Sequence, residues 1–401
     1  MQLSANNKTH IIRFYILYVI YYGTISFLWP FFTYYLISKG LNSVTIGTIN
    51  SLGIIASILG YYVLGYIADK AKSSGILIGA LLPVMAFSLF LIQTSASIIV
   101  ICFSFCACMF LKFPFEPIMD AWAIESNSAT SRYFGVIRSG GSLGFGICVA
   151  FIGMKITNTE FGSAFYSSYV AICVLFLYIL YLSKKVGITR TENAKNTDSG
   201  RQIGISDIKS LFKNKEYVTL LILCVCFGVP ASIIKVYTPF LFTHLGGGVG
   251  EHSKLLAISA LAEIPFFWAS PFLLKKYNTL TLMAYSSLFL IASTLIYLLA
   301  PSAKYLIGAG LLLTVQFSVF NPAIRYGVSR IAPANLKTTA QVVMASAYGG
   351  ISLCLGSFLG GFMIKIFDVK LTFFIAFIGL CLAVITMFLR LSYSNKIKIN
   401  H

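Results

Sequence analysis

At 401 residues, 58% hydrophobic and only 10% charged, the chain is far more apolar than a soluble domain, where about a quarter of residues carry charge. A mean hydropathy of +0.85 excludes a soluble globular protein and makes this an integral membrane protein. The formal charge of +18 does not point to nucleic acid, because Lys and Arg of a membrane protein collect in the loops that stay in the cytoplasm.

The N-terminal MQLSANNKTH is short and polar. The apolar run behind it is too long for a signal-peptide core and ends without a small-residue cleavage site, so no cleaved leader is expected. A window of about 20 residues then predicts six spans in the first half. They run near Ile11 to Ser38, Val44 to Ile67, Gly75 to Leu91, Ala96 to Ile124, Tyr133 to Ile156 and Phe165 to Leu182. Ser183 to Lys215 is the only long hydrophilic stretch and reads as a basic cytoplasmic linker, with a short interfacial helix at Ile205 to Phe212. Six more spans follow near Tyr217 to Leu245, Lys254 to Leu274, Leu280 to Leu299, Tyr305 to Ile331, Lys337 to Ile366 and Leu371 to Leu391.

The expected fold is therefore all-α, with twelve transmembrane helices in two six-helix bundles, residues 1–183 and 216–401, joined by the linker 184–215. If the spans alternate, Lys8, Arg13, Lys70, Arg132, the linker cations, Lys275, Lys276, Arg330 and Arg390 share one side. That side is the cytoplasm, which places both termini inside a plasma or inner membrane. Two halves split by a basic loop is the organisation of transporters that rock two bundles about a midplane site.

The spans carry three kinds of marked residue. Trp29-Pro30 in the first and Pro114 with Pro117 in the fourth are expected to interrupt their helices, and broken helices at depth line cavities. Small residues are dense in the fifth span (Gly135, Gly140, Gly141, Gly144, Gly146) and the eleventh (Gly349, Gly350, Gly356, Gly360, Gly361), where they allow close helix packing. The nine cysteines lie mostly inside apolar runs, without metal spacing, and read as buried reduced thiols.

Ionisable residues at membrane depth are the strongest functional signal, each costing about 2.5–3.5 kcal/mol on insertion scales. Lys112, Glu116 and Asp120 follow one another at i, i+4 steps, and Arg138 lies in the next span. Facing each other in a wet cavity, Asp120 and Arg138 bind a polar solute, exchange a proton, or do both; sealed together, they are only a helix-to-helix pair. Lys112 and Glu116 read either as a local pair or, if Lys112 pairs elsewhere, with Glu116 as a proton site. Glu263 is the one acid well inside a second-half span; burial would raise its pKa towards the working range and let it take the coupling proton, or it accepts from solute hydroxyls without titrating. Lys235 on the seventh span lines the same cavity or snorkels to the outer interface. Tyr15, Tyr22, Phe27 and Trp29 on the first span offer faces for stacking on a ring. No histidine is expected at mid-membrane depth: His10 and His401 are terminal, His252 falls in a loop, and His244 ends the seventh span.

Gly65-Tyr66-Ile67-Ala68-Asp69-Lys70 resembles the loop after the second helix of the major facilitator superfamily. Pro117-Ile118-Met119-Asp120-Ala121 with the Phe134 to Phe145 stretch is similar to its lactose permease-like branch, which also holds nucleoside and aromatic-acid proton symporters. The resemblance implies a cytoplasmic gate at Asp69 and Lys70, although the branch's terminal Arg pair is lacking. It implies solute binding by Asp120 and Arg138, with Phe145 in place of a tryptophan that stacks on the galactosyl ring. The histidine and glutamate that handle the proton on the permease's tenth helix are absent; Gln316, Asn321 and Arg325 stand there instead.

The function expected is proton-coupled uptake of a small polar solute, a sugar or oligosaccharide before others, by a non-enzymatic carrier. The implied partners are the solute and the lipid bilayer, with no nucleic acid; the carrier is monomeric, with no metal and no cofactor other than the coupling proton. A nucleoside or aromatic-acid symporter, a drug exporter, and a sensor that keeps the fold without transport stand as alternatives.

Overall fold

In the computed structural model the chain is described over residues 5–71, 73–156, 160–186, 211–333 and 336–399. The proposed interfacial helix at 205–212 and most of the linker fall largely outside these residues. Among the described residues the regular structure is helical, in the order α1 Ala5–Ser26, a 3-10 turn Trp29–Phe31, α2 Phe32–Ser38, α3 Ser43–Lys70, α4 Ser74–Thr94, α5 Ile98–Ser126, α6 Ser128–Arg132, α7 Phe134–Lys155 and α8 Gly162–Val186. The second half continues with α9 Lys215–His244, α10 Val249–Lys276, α11 Thr279–Leu299, α12 Ala303–Leu306, α13 Ala309–Ile331, α14 Lys337–Ala345, a π-turn Ser346–Ile351, α15 Ser352–Ile366 and α16 Val369–Ile399.

Eleven helical stretches among the described residues are long and apolar enough to cross a membrane. The 28-residue helix α10 stands at the remaining predicted span. Long helices are the only open-chain solution at membrane depth, because each backbone N–H and C=O must be bonded within its own segment.

The interruptions are not all where proline predicts them. Pro30 opens the 3-10 turn that divides the first span into α1 and α2. Pro114 and Pro117, expected to break the fourth span, lie inside the unbroken 29-residue α5. Proline there leaves the carbonyl four residues back without its N–H. The Phe110 carbonyl freed by Pro114 is met closely by α3, where a Cβ on Gly60 would fall 2.1 Å from its oxygen. The eleventh span is interrupted by the π-turn, at a place that contains no proline.

The chain divides into two compact units, one of residues 1–39 and 52–200, the other of residues 40–51 and 201–401. In the first, α1 packs along α7 through glycines: a Cβ on Gly140 would lie 2.9 Å from the Tyr15 carbonyl oxygen, and one on Gly144 2.2 Å from that of Val19. Gly135 meets nothing within 4 Å, so the close crossing begins only after the first turn of α7. In the second, α9 packs against α15 in the same way: a Cβ on Gly356 would lie 2.7 Å from the Val229 carbonyl oxygen, and Tyr237 donates its hydroxyl to the Ser357 carbonyl at 2.5 Å. Among these residues Ser43 Oγ donates to the Gly361 carbonyl at 2.8 Å.

His252 is a correction to the sequence reading. It lies in the first turn of α10 and is 5% exposed, its ring 5.1 Å from that of Phe242 and tilted to it by 35°. The Gly248 N–H donates to Glu251 Oε2 at 3.0 Å, a capping interaction that starts the helix upstream of the histidine.

Candidate functional site

The first unit gathers its charges around Arg138. One turn into α7, its guanidinium reaches α5, where Glu116 and Asp120 stand one helical turn apart on the same face. Nη1 donates to both Asp120 oxygens, Oδ1 at 3.2 Å and Oδ2 at 3.1 Å, while Nη2 bonds and pairs with Glu116 Oε1. One planar cation thus bridges two carboxylates, a geometry that a fork of fixed donors makes and a point charge does not.

α1 closes the cluster from the other side. The Tyr18 hydroxyl donates to Asp120 Oδ1, and Tyr22, one turn further along α1, lies close enough to Glu116 to act on it electrostatically. The Tyr18 and Tyr22 rings stack with centroids 6.3 Å apart and planes at 20°, and Tyr18 meets Phe134 edge-on at 6.2 Å. Tyr18 is wholly buried and so rigid. Each acid therefore has a guanidinium nitrogen of its own, Asp120 has a tyrosine hydroxyl besides, and the cluster keeps its shape without a solute.

The charges are nevertheless accessible. Arg138 keeps 38% of its side chain exposed, Glu116 35% and Asp120 28%. A purely structural pair between packed membrane helices would be sealed, because exposure to lipid leaves charge unsolvated. Accessible lone pairs and N–H groups in a helix-lined space suit a ligand with hydroxyls, which both donate and accept.

Lys112, one turn before Glu116, holds its ammonium over the Trp29 ring at 4.8 Å and the Phe113 ring at 5.2 Å. Trp29 also packs on Phe32 and Phe105, each with centroids 6.0 Å away. Phe145 is half-buried on α7, two helical turns beyond Arg138 and so on nearly the same face.

The second unit holds Glu263 and Lys235 on successive helices. The half-buried Glu263 on α10 is close enough to the exposed Lys235 ammonium on α9 to act on it electrostatically. Of the expected gate, the Asp69 side chain lies outside the described residues, and Lys70 turns back onto Tyr66, bonding its hydroxyl and lying 4.2 Å from the ring centroid. Arg325 is exposed near the end of α13, with its carbonyl accepting from Gln341 Nε2 at 2.6 Å.

Tyr18 was not singled out from the sequence. Its signal was the i, i+4 spacing to Tyr22 on the face that the acids need.

A model of the MFS_1 like family matches residues 11–375. The chain is 24% identical over 260 residues to the uncharacterised transporter YwbF of Bacillus subtilis, covering 64% of this chain and 63% of that one. It is 22% identical to the maltose permease of Geobacillus stearothermophilus over 90% of this chain and 89% of the permease. Among solved structures, the nucleoside transporter NupG in its D323A form superposes with a TM-score of 0.81 at 16% identity, over 94% of this chain and 99% of that one.

Proposed function

The chain belongs to the MFS_1 like family of membrane transporters, and on that premise we propose that it takes up a small polyhydroxylated solute, a sugar or oligosaccharide, together with protons by alternating access. It is a carrier and not an enzyme. The observation that supports the solute class is the accessible cluster of Arg138, Asp120 and Glu116. Vicinal hydroxyls of a sugar match a guanidinium edge flanked by two carboxylates, donating to the acids and accepting from the arginine. Trp29 and Phe145 supply ring faces for the apolar side of the same solute.

Protons enter through the carboxylates. Asp120 and Glu116 are served by different nitrogens of one guanidinium, so protonation of either leaves the other its bond to Arg138. Glu263 in the second unit takes the coupling proton, with the Lys235 ammonium near enough to act on it electrostatically. Solute and proton shift the populations of the open states only through their different affinities for them. The carrier works as a monomer in the plasma or inner membrane with both termini in the cytoplasm, and Asp69 with Lys70 guards that face.

A second reading, a nucleoside as solute, is favoured by the likeness of the whole fold to a nucleoside transporter. It uses the same cluster, with the ribose hydroxyls in the place of the sugar's.

The test is purified protein in proteoliposomes under an imposed pH gradient, offered labelled maltose, xylose and uridine. Accumulation above equilibrium that a protonophore abolishes supports the proposal. Downhill exchange that ignores the gradient, with no solute-driven proton flux, would remove the coupling from it.

A further inference from the structure

Away from the charged cluster, the first unit carries a second polar recess, at the end of its bundle opposite the N-terminus. It is a cavity of about 340 Å³ where the last turn of α2, the last turn of α4 and the start of α8 meet. Tyr35 is its fixed wall: the hydroxyl donates to the Ile92 carbonyl at 2.6 Å, and the ring meets Phe161 and Phe165 edge-on, with centroids 5.7 and 5.2 Å away. The Lys39 ammonium lies 5.5 Å from the centroid of that ring. Gln93 and Ser38 add the polar lining. Gln93 Oε1 accepts from the Tyr169 hydroxyl at 2.7 Å, so what Gln93 has left to offer is its pair of N–H donors. Ser38 donates its proton to the Tyr35 carbonyl at 2.8 Å and keeps its lone pairs. Glu160, one residue before Phe161, is exposed and does not line the cavity, so the recess offers one full positive charge with donors beside it.

Tyr169 joins this recess to a second one. Further along the same seam an apolar trough of about 200 Å³ runs between Leu82, Pro83 and Ala86 on α4 and Tyr169, Cys173 and Phe176 on α8. Pro83 and Cys173 are exposed, which on membrane-spanning helices means open to the bilayer. The trough ends where the helices close again at Gly79, whose Cβ would stand 3.8 Å from Ile179 Cγ2 and 4.0 Å from the Phe176 ring. From Gln93 back to Pro83, α4 rises about 15 Å. That is half of a hydrocarbon core roughly 30 Å thick, the depth of one leaflet.

We propose that the α4–α8 seam binds one anionic phospholipid of the phosphatidylglycerol type, with its phosphodiester on Lys39 and Gln93, a headgroup hydroxyl on Ser38 and one acyl chain in the trough. With both termini in the cytoplasm, it is a lipid of the outer leaflet. A cationic recess that runs on into an apolar trough one leaflet deep has the shape of an amphiphile; a free phosphate ion would leave the trough unused. An acyl chain gains no transfer free energy by leaving other chains for the trough, so the choice between lipids falls to the headgroup. There a net negative charge meets Lys39, whereas the ammonium of an ethanolamine headgroup would be brought up to another cation. The site goes beyond the transport reading and uses none of the residues assigned to solute or proton.

Native mass spectrometry of the full chain in detergent, titrated with phosphatidylglycerol or phosphatidylethanolamine of the same acyl chains, tests this on the parent, Lys39→Ala, Lys39→Arg, Ala86→Phe and Lys155→Ala. The parent should hold one phosphatidylglycerol in preference to phosphatidylethanolamine. Lys39→Ala should raise the Kd for phosphatidylglycerol roughly fivefold, the share of one cation at a membrane surface, and erase the preference; Lys39→Arg should restore both. Ala86→Phe fills the trough and should weaken both lipids while keeping the preference. Lys155, exposed at the end of α7 on the same side, is the control, and Lys155→Ala should change nothing. Melting temperatures check folding; should Ala86→Phe not fold, Ala86→Leu takes its place. Equal losses in Lys39→Ala and Lys155→Ala would reduce the site to diffuse surface charge, and parental binding in Lys39→Ala would overturn it outright. Displacement of the lipid by millimolar inorganic phosphate would make the recess an ion site, and a lipid-free dimer would give the seam to a second copy of the chain; either result overturns the proposal. No solute enters these measurements, so the transport reading stands or falls apart from them.

Discussion

Gly144 on α7 lies so close to Val19 on α1 that a methyl group added to it would fall 2.2 Å from the Val19 carbonyl oxygen and 2.8 Å from its Cα. The neighbour of Val19 is Tyr18, whose hydroxyl bonds Asp120. The small residue that lets two membrane helices touch therefore also sets how far the tyrosine stands from the acid.

Gly144→Ala should separate α1 from α7. Overpacking of this kind costs about 1–3 kcal/mol, and the melting temperature in detergent should drop by several degrees. Solute affinity should fall with it, since Tyr18 moves with α1. Gly135→Ala on the same helix, with nothing within 4 Å, is the control and should leave both unchanged. Equal effects of the two substitutions would show that the contact does not matter.

Arg138→Lys keeps the charge and should still abolish high-affinity binding. The guanidinium serves Asp120 through Nη1 and Glu116 through Nη2 at once. An ammonium on a flexible stem holds one carboxylate and leaves the other without its guanidinium nitrogen. The expected change is a rise of at least about tenfold in half-saturation concentration, the equivalent of losing one charge-assisted bond of roughly 1.5–3 kcal/mol. Parental affinity in the lysine variant, measured by counterflow, would mean that a single positive charge is all the solute needs.

How far the site could be read from the sequence depends on how rare each signal is. Asp120 and Arg138 stood out because a charge inside an apolar run has few structural uses, and the structure joins the two directly. That Glu116 shares the same arginine is a matter of helix rotation, since i, i+4 spacing put it equally near Lys112 and near Asp120. Tyr18 was hidden by abundance: among 23 tyrosines in a membrane protein, one more on the first span carries no weight until its hydroxyl is placed. Pro114 and Pro117 predicted a break that α5 does not show, whereas the break in the eleventh span falls at Ser346–Ile351. Proline marks the loss of a donor, which a helix tolerates where the freed carbonyl is packed. A π-turn requires no particular residue type, and Gly349-Gly350 read as packing.

Tyr18→Phe isolates the hydroxyl. The ring is wholly buried against Tyr22 and Phe134, so the phenylalanine keeps the packing and removes only the bond to Asp120. Folding should be unaffected. Half-saturation should rise by about tenfold, because Asp120 then loses the hydroxyl that orients it and pays more entropy to meet a solute. A variant with unchanged affinity would place the orienting role of α1 in doubt, and one that does not fold would give Tyr18 a structural role that its ring alone does not explain.

Glu263→Gln separates coupling from binding in the second unit. The amide imitates the protonated acid: it keeps the shape and a donor but never releases a proton. If Glu263 takes the coupling proton, the glutamine variant should exchange labelled for unlabelled solute across the membrane at close to the parental rate, because exchange needs no proton cycle. Uphill accumulation under an imposed pH gradient should vanish, and solute addition should no longer alkalinise the medium. Lys235 sharpens the test, since its ammonium acts on this carboxylate. With the partner charge gone, Lys235→Gln in the Glu263→Gln background should cost less than Lys235→Gln alone, a coupling visible in a double-mutant cycle. Loss of exchange in Glu263→Gln, with half-saturation raised beyond measurement, would instead make the carboxylate an acceptor for solute hydroxyls, and the proton would then have to be sought at Asp120 or Glu116.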